Sequence, residues 1–178
     1  MTDTYIRRAT ESDLPALAAL ELNTFSDAFR DQYPPEDFEA FLREHKSPEA
    51  VRKAFRQEGT EYYVAVAGEQ LTGFVQLNFN KQPDNGTLLP EPAMEIEKIY
   101  VLQTTQSRGT GKSLIHYALQ LARQRHVRTA WLGVWEHNPR ARALYEREGF
   151  SVFGEHAFVV GSRRDRDLLL AKVLTGNS

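Results

Sequence analysis

The chain has 178 residues, 41% of them hydrophobic, with 22 Lys and Arg against 24 Asp and Glu for a net charge of −2; that is one domain's length, apolar enough to exclude wholesale disorder, with a charge balance that argues against a nucleic-acid partner. Cysteine is absent, which excludes disulfide scaffolds, thiolate metal sites and cysteine nucleophiles together. With no apolar run near the roughly 18 residues of a membrane span, and no apolar stretch behind the basic residues of the N-terminus, the expectation is a soluble cytoplasmic protein, monomer or homodimer, with one domain over residues 1–178 and no membrane partner.

Residues 5–9 alternate like a short strand. Thr10 or Ser12 can cap a helix whose Leu14, Leu17, Ala18 and Leu22 share a face. The aromatic stretch 23–33 is expected to be irregular. Pro34-Pro35 starts a second helix with Phe38, Phe41 and Leu42 inward. Ser47-Pro48-Glu49 starts a third, with Val51 and Phe55 inward, which Gly59 ends. Residues 62–67 and 71–79 flank Gly68-Glu69-Gln70 as a β-hairpin. A polar loop over 81–92 leads to a strand at 94–102, then to a glycine-rich segment at 106–111. Leu114, Ile115, Ala118, Leu121 and Ala122 line one face of the following helix. Residues 129–135 read as a strand buried on both sides. Asn138-Pro139 opens a helix that Gly149 closes. Strands at 150–160 and 167–173 surround a turn at 161–164. No repeat or linker divides the chain, and the order describes one mixed α/β sheet.

Strand, glycine loop and helix start at 94–113 form an anion site in outline. Backbone N–H groups and the positive helix end converge there, and Arg108 and Lys112 add charge. A P-loop needs glycine where Gln106 stands, and a dinucleotide fingerprint needs glycine where Leu114 stands. Gln106, Gly109 and Gly111 do satisfy Q/R-x-x-G-x-G/A. A second segment, Asn138-Pro139-Arg140-Ala141-Arg142-Ala143-Leu144-Tyr145-Glu146-Arg147-Glu148-Gly149-Phe150, follows the next strand. Its Asn138 and Tyr145, about two helical turns apart, share a face. The two motifs in this order resemble the pyrophosphate loop and the N-x-x-A-x-x-x-Y-x-x-x-G-F segment of the GCN5-related N-acetyltransferases (GNAT), over nearly the whole chain. The stretches 24–29, 95–101, 131–136 and 154–158 are similar to those of PaiA-like spermidine/spermine N-acetyltransferases.

The resemblance implies a mixed, mostly antiparallel central sheet splayed between two parallel strands, with helices on both faces. It implies acetyl-CoA in the splay, with CoA as product. The backbone of Ile99, Tyr100 and Val101 would pair with the pantetheine arm. Gln106, Ser107, Arg108, Gly109, Thr110 and Gly111, with Lys112 and Ser113, would hold the pyrophosphate. Asn138 would touch the cofactor, Tyr145 would protonate the departing thiolate, and Arg147 could meet a phosphate. The acceptor would be a small-molecule amine, in the first place a polyamine. A protein N-terminus, a lysine or an aminoglycoside amine are the alternative acceptors, and a non-catalytic acyl-CoA-binding regulator is the non-enzymatic one.

A cationic amine must lose a proton before attack. Glu95 and Glu97, two apart on a strand, project from one face, and either could take it. Related small-amine acetyltransferases place such a glutamate at the position of Glu97, which ranks it first. Residues 1–92 carry 9 basic and 16 acidic side chains, a net of −7, and residues 93–178 carry 13 and 8, a net of +5. The basic half contains the anion loop. The acidic half contains Asp27, Asp31, Glu36 and Asp37 among Phe25, Phe29 and Tyr33, in the region that caps the acceptor side in the related enzymes, so these are candidates to bind a cationic acceptor. The five histidines are scattered and suggest no metal. The pair Trp131 and Trp135 reads as strand packing.

Overall fold

The structure, a computed structural model, describes residues 3–106 and 108–174. The chain runs β1 (Thr4–Arg8), α1 (Leu14–Phe29), α2 (Pro35–His45), α3 (Pro48–Phe55), β2 (Thr60–Ala67), β3 (Gln70–Phe79), β4 (Ala93–Val101), α4 (Thr110–Gln124), β5 (Thr129–Trp135), α5 (Pro139–Arg147), β6 (Ser151–Val160) and β7 (Arg163–Val173). The seven strands form one sheet in the order β1-β2-β3-β4-β5-β7-β6. The pair β4–β5 is parallel and the other neighbours are antiparallel. A parallel pair needs a crossover, and α4 supplies it. The α/β class and the mixed sheet are therefore as expected.

One face of the sheet carries α4. Its Leu114, Ile115, Ala118, Leu119 and Ala122 are buried with Val75, Leu77, Met94, Ile96 and Leu132. Each large side chain so buried contributes about 1.5–3 kcal/mol, so the N-terminus of α4 is held firmly at the end of β4. The opposite face carries α1 and α3, whose Leu14, Leu17, Leu20 and Val51 pack on Tyr62, Val64 and Phe74. None of the helices among the described residues is long and apolar enough to cross a membrane.

Two expectations need correction. Residues 23–29 are not irregular: α1 continues to Phe29, with a 3-10 turn at Arg30–Gln32. Leu22, Phe25 and Phe29 extend the buried face at helical spacing, and the aromatic residues that looked like a loop are its apolar stripe. The last strand begins at Arg163 rather than at 167, after a tight turn at Gly161, whose φ is +59°. Its polar start misled the reading because Asp165 is buried although its neighbours in sequence are charged.

Candidate active site

The parallel pairing stops early. Ala93 to Ile96 pair with Thr129 to Leu132, and the pairing ends there. From residue 97 onward the edge of β4 that faces β5 has no β5 partner, so the two strands open into a cleft. The loop after β4 ends at Gly109, which caps α4 with φ +81°. Nothing lies within 4 Å of where a Cβ would stand on Gly109, so the first amides of α4 are open to a ligand. The Gln106 side chain turns back and donates to the Val101 carbonyl at 3.2 Å, tying the loop to the strand end. Ser107 lies outside the described residues. Arg108 and Gly109 are exposed, and Thr110 and Gly111 half-buried. This cradle of amides, with Lys112 in the first turn, fits a diphosphate. Replacing Gly109 by Val would force a β-branched residue into the left-handed region. Gly109→Val is expected to weaken CoA binding about tenfold or more, measured by calorimetry; an unchanged Kd would detach the loop from the diphosphate.

Across the cleft, Asn138 caps α5 by accepting from the Ala141 N–H at 3.1 Å. Tyr145 is half-buried and, like Ile99 and Val101, packs against the core under α4. Burial raises its hydroxyl to about 12, so it holds its proton at any working pH. Arg147 is exposed on the last turn of α5.

The second face of the cleft holds the carboxylates. Gln76 pairs with Lys98 and Leu77 with Ile96, so Glu97 is the extra residue of a β-bulge. The Asn78 amide donates to Glu95 Oε1 at 2.7 Å and to Glu97 Oε1 at 3.1 Å. The two expected carboxylates are thus brought together. Burial raises Glu95 to about 7, with Glu97 adding to the effect and Asn78 opposing it. Glu97 is exposed at the opening, 3.6 Å from Lys98 Nζ. Lys98 in turn bonds Glu21 Oε1, as does Lys46 at 3.0 Å. Glu21 is fully buried and its Oε2 has no partner. The two ammonium groups hold Glu21 below the usual carboxylate range against its desolvation, and burial beside Lys98 brings Lys46 down to about 8. This ion cluster joins α1, the end of α2 and the bulge, and fixes the strand at the level of Glu97.

The expected acceptor wall divides. Phe29 stands against Trp135 at 5.2 Å between ring centres and 6.3 Å from Phe158. Phe25 is only 2% exposed and Tyr33 6%; they pack behind that surface, and the Tyr33 hydroxyl donates to Asp165 at 3.2 Å. Asp27 and Asp31 are exposed; Asp27 is two residues from both rings, on another side of the helix. Two acidic side chains that do stand beside this aromatic cluster come from β7. Asp165 accepts from Trp135 Nε1 at 3.1 Å. Asp167 lies opposite Trp135 in register, 3.8 Å from His156, and burial raises its carboxyl. These two residues went unread in the sequence, although an Asp-x-Asp alternation in a strand was a signal for them. Glu136, His137 and Asp165 approach within 4.8 Å of one another, but Arg166 and Arg163 already pair the two carboxylates. A separate open groove of about 550 Å³, lined by Ala16, Leu20, Asn23, Leu71 and Leu102 among others, takes no wall from β5, β6 or β7 and is distinct from the cleft.

The acetyltransferase (GNAT) family pattern matches residues 21–150. An uncharacterised N-acetyltransferase of Lactobacillus delbrueckii subsp. lactis, in the pepI 3′ region, is 34% identical over 174 residues, covering 98% of this chain and 99% of that one. The PaiA N-acetyltransferase from Thermoplasma acidophilum, solved in complex with coenzyme A, superposes with a TM-score of 0.74 at 20% identity, over 97% of this chain and 99% of that one. The ribosomal-protein-S18-alanine N-acetyltransferase from Escherichia coli gives 0.73 at 18% identity, over 99% and 97%. At such identities the two structures establish a shared fold, and likeness of fold does not choose the acceptor.

Proposed function

Since the chain belongs to the acetyltransferase (GNAT) family and is by that membership an N-acetyltransferase, we propose that it transfers acetyl from acetyl-CoA directly to a primary amine of spermidine, spermine or a similar small polyamine. The observation that carries the acceptor class is the character of the cleft's second face. Glu95 and Glu97 lie on β4 where its pairing with β5 ends, and Asp165 and Asp167 lie beside Trp135, which clusters with Phe29 and Phe158. Carboxylates set among aromatic rings suit an ammonium better than a neutral or anionic acceptor.

In this reading the thioester supplies the activated acetyl group. The open edge of β4 at Ile99, Tyr100 and Val101 receives the pantetheine arm as an added strand would. The amides at 108–113, with Arg108 and Lys112, hold the diphosphate, and Asn138 contacts the arm with its side-chain NH2 group. The amine arrives protonated and must lose its proton before it can attack. Glu97 stands at the opening and Glu95 behind it. With Glu95 near 7, the pair holds a base close to the working pH, where a general base is most effective. The backbone N–H of Val101 or a neighbour is the oxyanion donor, and the Tyr145 hydroxyl delivers a proton to the departing thiolate.

A thiol-release assay with acetyl-CoA against spermidine, spermine, an aminoglycoside and a lysine peptide tests the reading. The expected result is the highest kcat/KM with spermidine or spermine. Turnover of the peptide alone would overturn the polyamine acceptor.

A further inference from the structure

The carboxylate pair is held by more than its own strand. Six polar side chains, the two glutamates included, form a continuous hydrogen-bonded track across β2, β3 and β4, on the face that carries α1. The Tyr62 hydroxyl donates to Gln76 Oε1 at 2.9 Å. Gln76 Nε2 donates to Asn78 Oδ1 at 3.3 Å, and the Thr60 hydroxyl donates to the same oxygen at 2.8 Å. Asn78 Nδ2 then donates to both glutamates. Tyr62 is 1% exposed and Gln76 2%, and Thr60 and Asn78 are buried as well. Burying such groups on a sheet face costs free energy that apolar side chains would spare, and the fold alone does not require them there.

The track has one direction. With two donors fixed on Oδ1, the Asn78 amide presents only its NH2 group to the carboxylates. Turning the amide over would set Oδ1 against two carboxylate oxygens. Gln76 is oriented likewise, since its Nε2 must face Asn78 Oδ1. Every dipole in the chain therefore points its positive end at Glu95 and Glu97, and such chains polarise one another. Register supports the same arrangement. Thr60 pairs with Asn78, and Asn78 with Glu95, so the three lie in one row across the sheet, and the bulge brings Glu97 to the same amide.

We propose that Asn78 is a positioning residue for the proton-accepting pair: its NH2 group, oriented by Thr60 and Gln76, clamps Glu95 and Glu97 together and favours the charged form of Glu95. The proposal rests on the reading of these glutamates as the base. Without the clamp the two carboxylates repel, and the buried Glu95 loses the hydrogen bond that favours its charged form. The other charged groups acting on the pair are Lys98 beside Glu97, with Glu21 and Lys46 behind it, and Lys81 and Asp84 from the loop before β4.

The test is the pH profile of kcat/KM together with a direct titration of the Glu95 and Glu97 carboxyl carbons by ¹³C NMR, which needs no turnover. Asn78→Leu is expected to move the midpoint of the acidic limb, and the ¹³C midpoint of the Glu95 carboxyl, up by about one unit, a roughly tenfold change in proton affinity. Thr60→Val keeps the Asn78 side chain and is expected to shift both in the same direction by less; it carries the test if Asn78→Leu fails to fold. CoA affinity is expected to be unchanged in both. A packing role would lower activity or stability without moving either midpoint, and unmoved midpoints in the folded variants would overturn the proposal. If instead Glu95→Gln and Glu97→Gln keep wild-type activity and profile, the underlying reading of the base fails, whatever the Asn78 variant does to the NMR titration.

Discussion

Tyr145→Phe is expected to lower kcat by roughly 10- to 1000-fold, the range of a lost general acid, with the Kd for CoA unchanged within about twofold. The reasoning starts from burial. The ring is half-buried against the core that also takes Ile99 and Val101, so removing the hydroxyl leaves its packing intact. The hydroxyl is held to about 12 by desolvation, so it stays protonated through the pH range in which the enzyme works. If it stands beside the leaving thiolate as proposed, a group that always holds its proton acts as an acid and not as a base. Phenylalanine keeps the ring and removes only the hydroxyl, and with it the transferable proton. Steady-state kinetics and calorimetry on the same preparation separate the two quantities. A variant with wild-type kcat would remove Tyr145 from the chemistry, and a variant with lost CoA affinity would make it a binding residue.

Glu95→Gln carries the second large effect, a loss of roughly 10²- to 10⁴-fold in kcat/KM near pH 7.5, the span expected for a general base. The wild-type rate should rise with pH through about 7 as Glu95 ionises, and that limb should be missing from the variant. The same shift fixes an opposite effect on stability. Glu95 binds its proton more tightly folded, near 7, than its ordinary value of 4.5. Its contribution is therefore fully present below about 4.5 and is lost as pH rises through 7. Glutamine carries no charge and its carbonyl can still accept from Asn78. Glu95→Gln is thus expected to be the more stable protein at pH 8, by up to about 3 kcal/mol, with no such advantage at pH 4. Denaturant unfolding at the two pH values measures this. Equal stability of the two proteins at pH 8 would mean that the carboxylate is ionised there at no cost.

What could be read in the sequence follows the range of the interactions. The glycine turn that opens α4 and the Asn138–Tyr145 helix were legible because turn geometry and helical spacing act within a few residues. The strand positions of Glu95 and Glu97 were legible for the same reason. The bulge at Glu97 was not, since it exists only in register with Gln76 and Leu77 on β3. Asn78 was hidden because polar residues alternating in a strand look like an exposed face, and this face is covered by α1. The acidic wall was sought in Asp27 and Asp31, which are exposed, but Asp165 reaches the aromatic cluster from β7, where it meets Tyr33 across 132 residues. Such a meeting is set by tertiary packing alone. The helix through Phe29 was missed because its apolar stripe is aromatic, and aromatic residues rank low in helix propensity; packing against Phe38, Phe41 and Trp135 outweighs that preference.

The account depends most on the diphosphate of acetyl-CoA lying on the amides between β4 and α4. Calorimetry of the purified protein with CoA, ATP and NAD tests this directly. The account predicts one CoA site per chain, bound more tightly than either other nucleotide. Clear heat with ATP or NAD and none with CoA would contradict it.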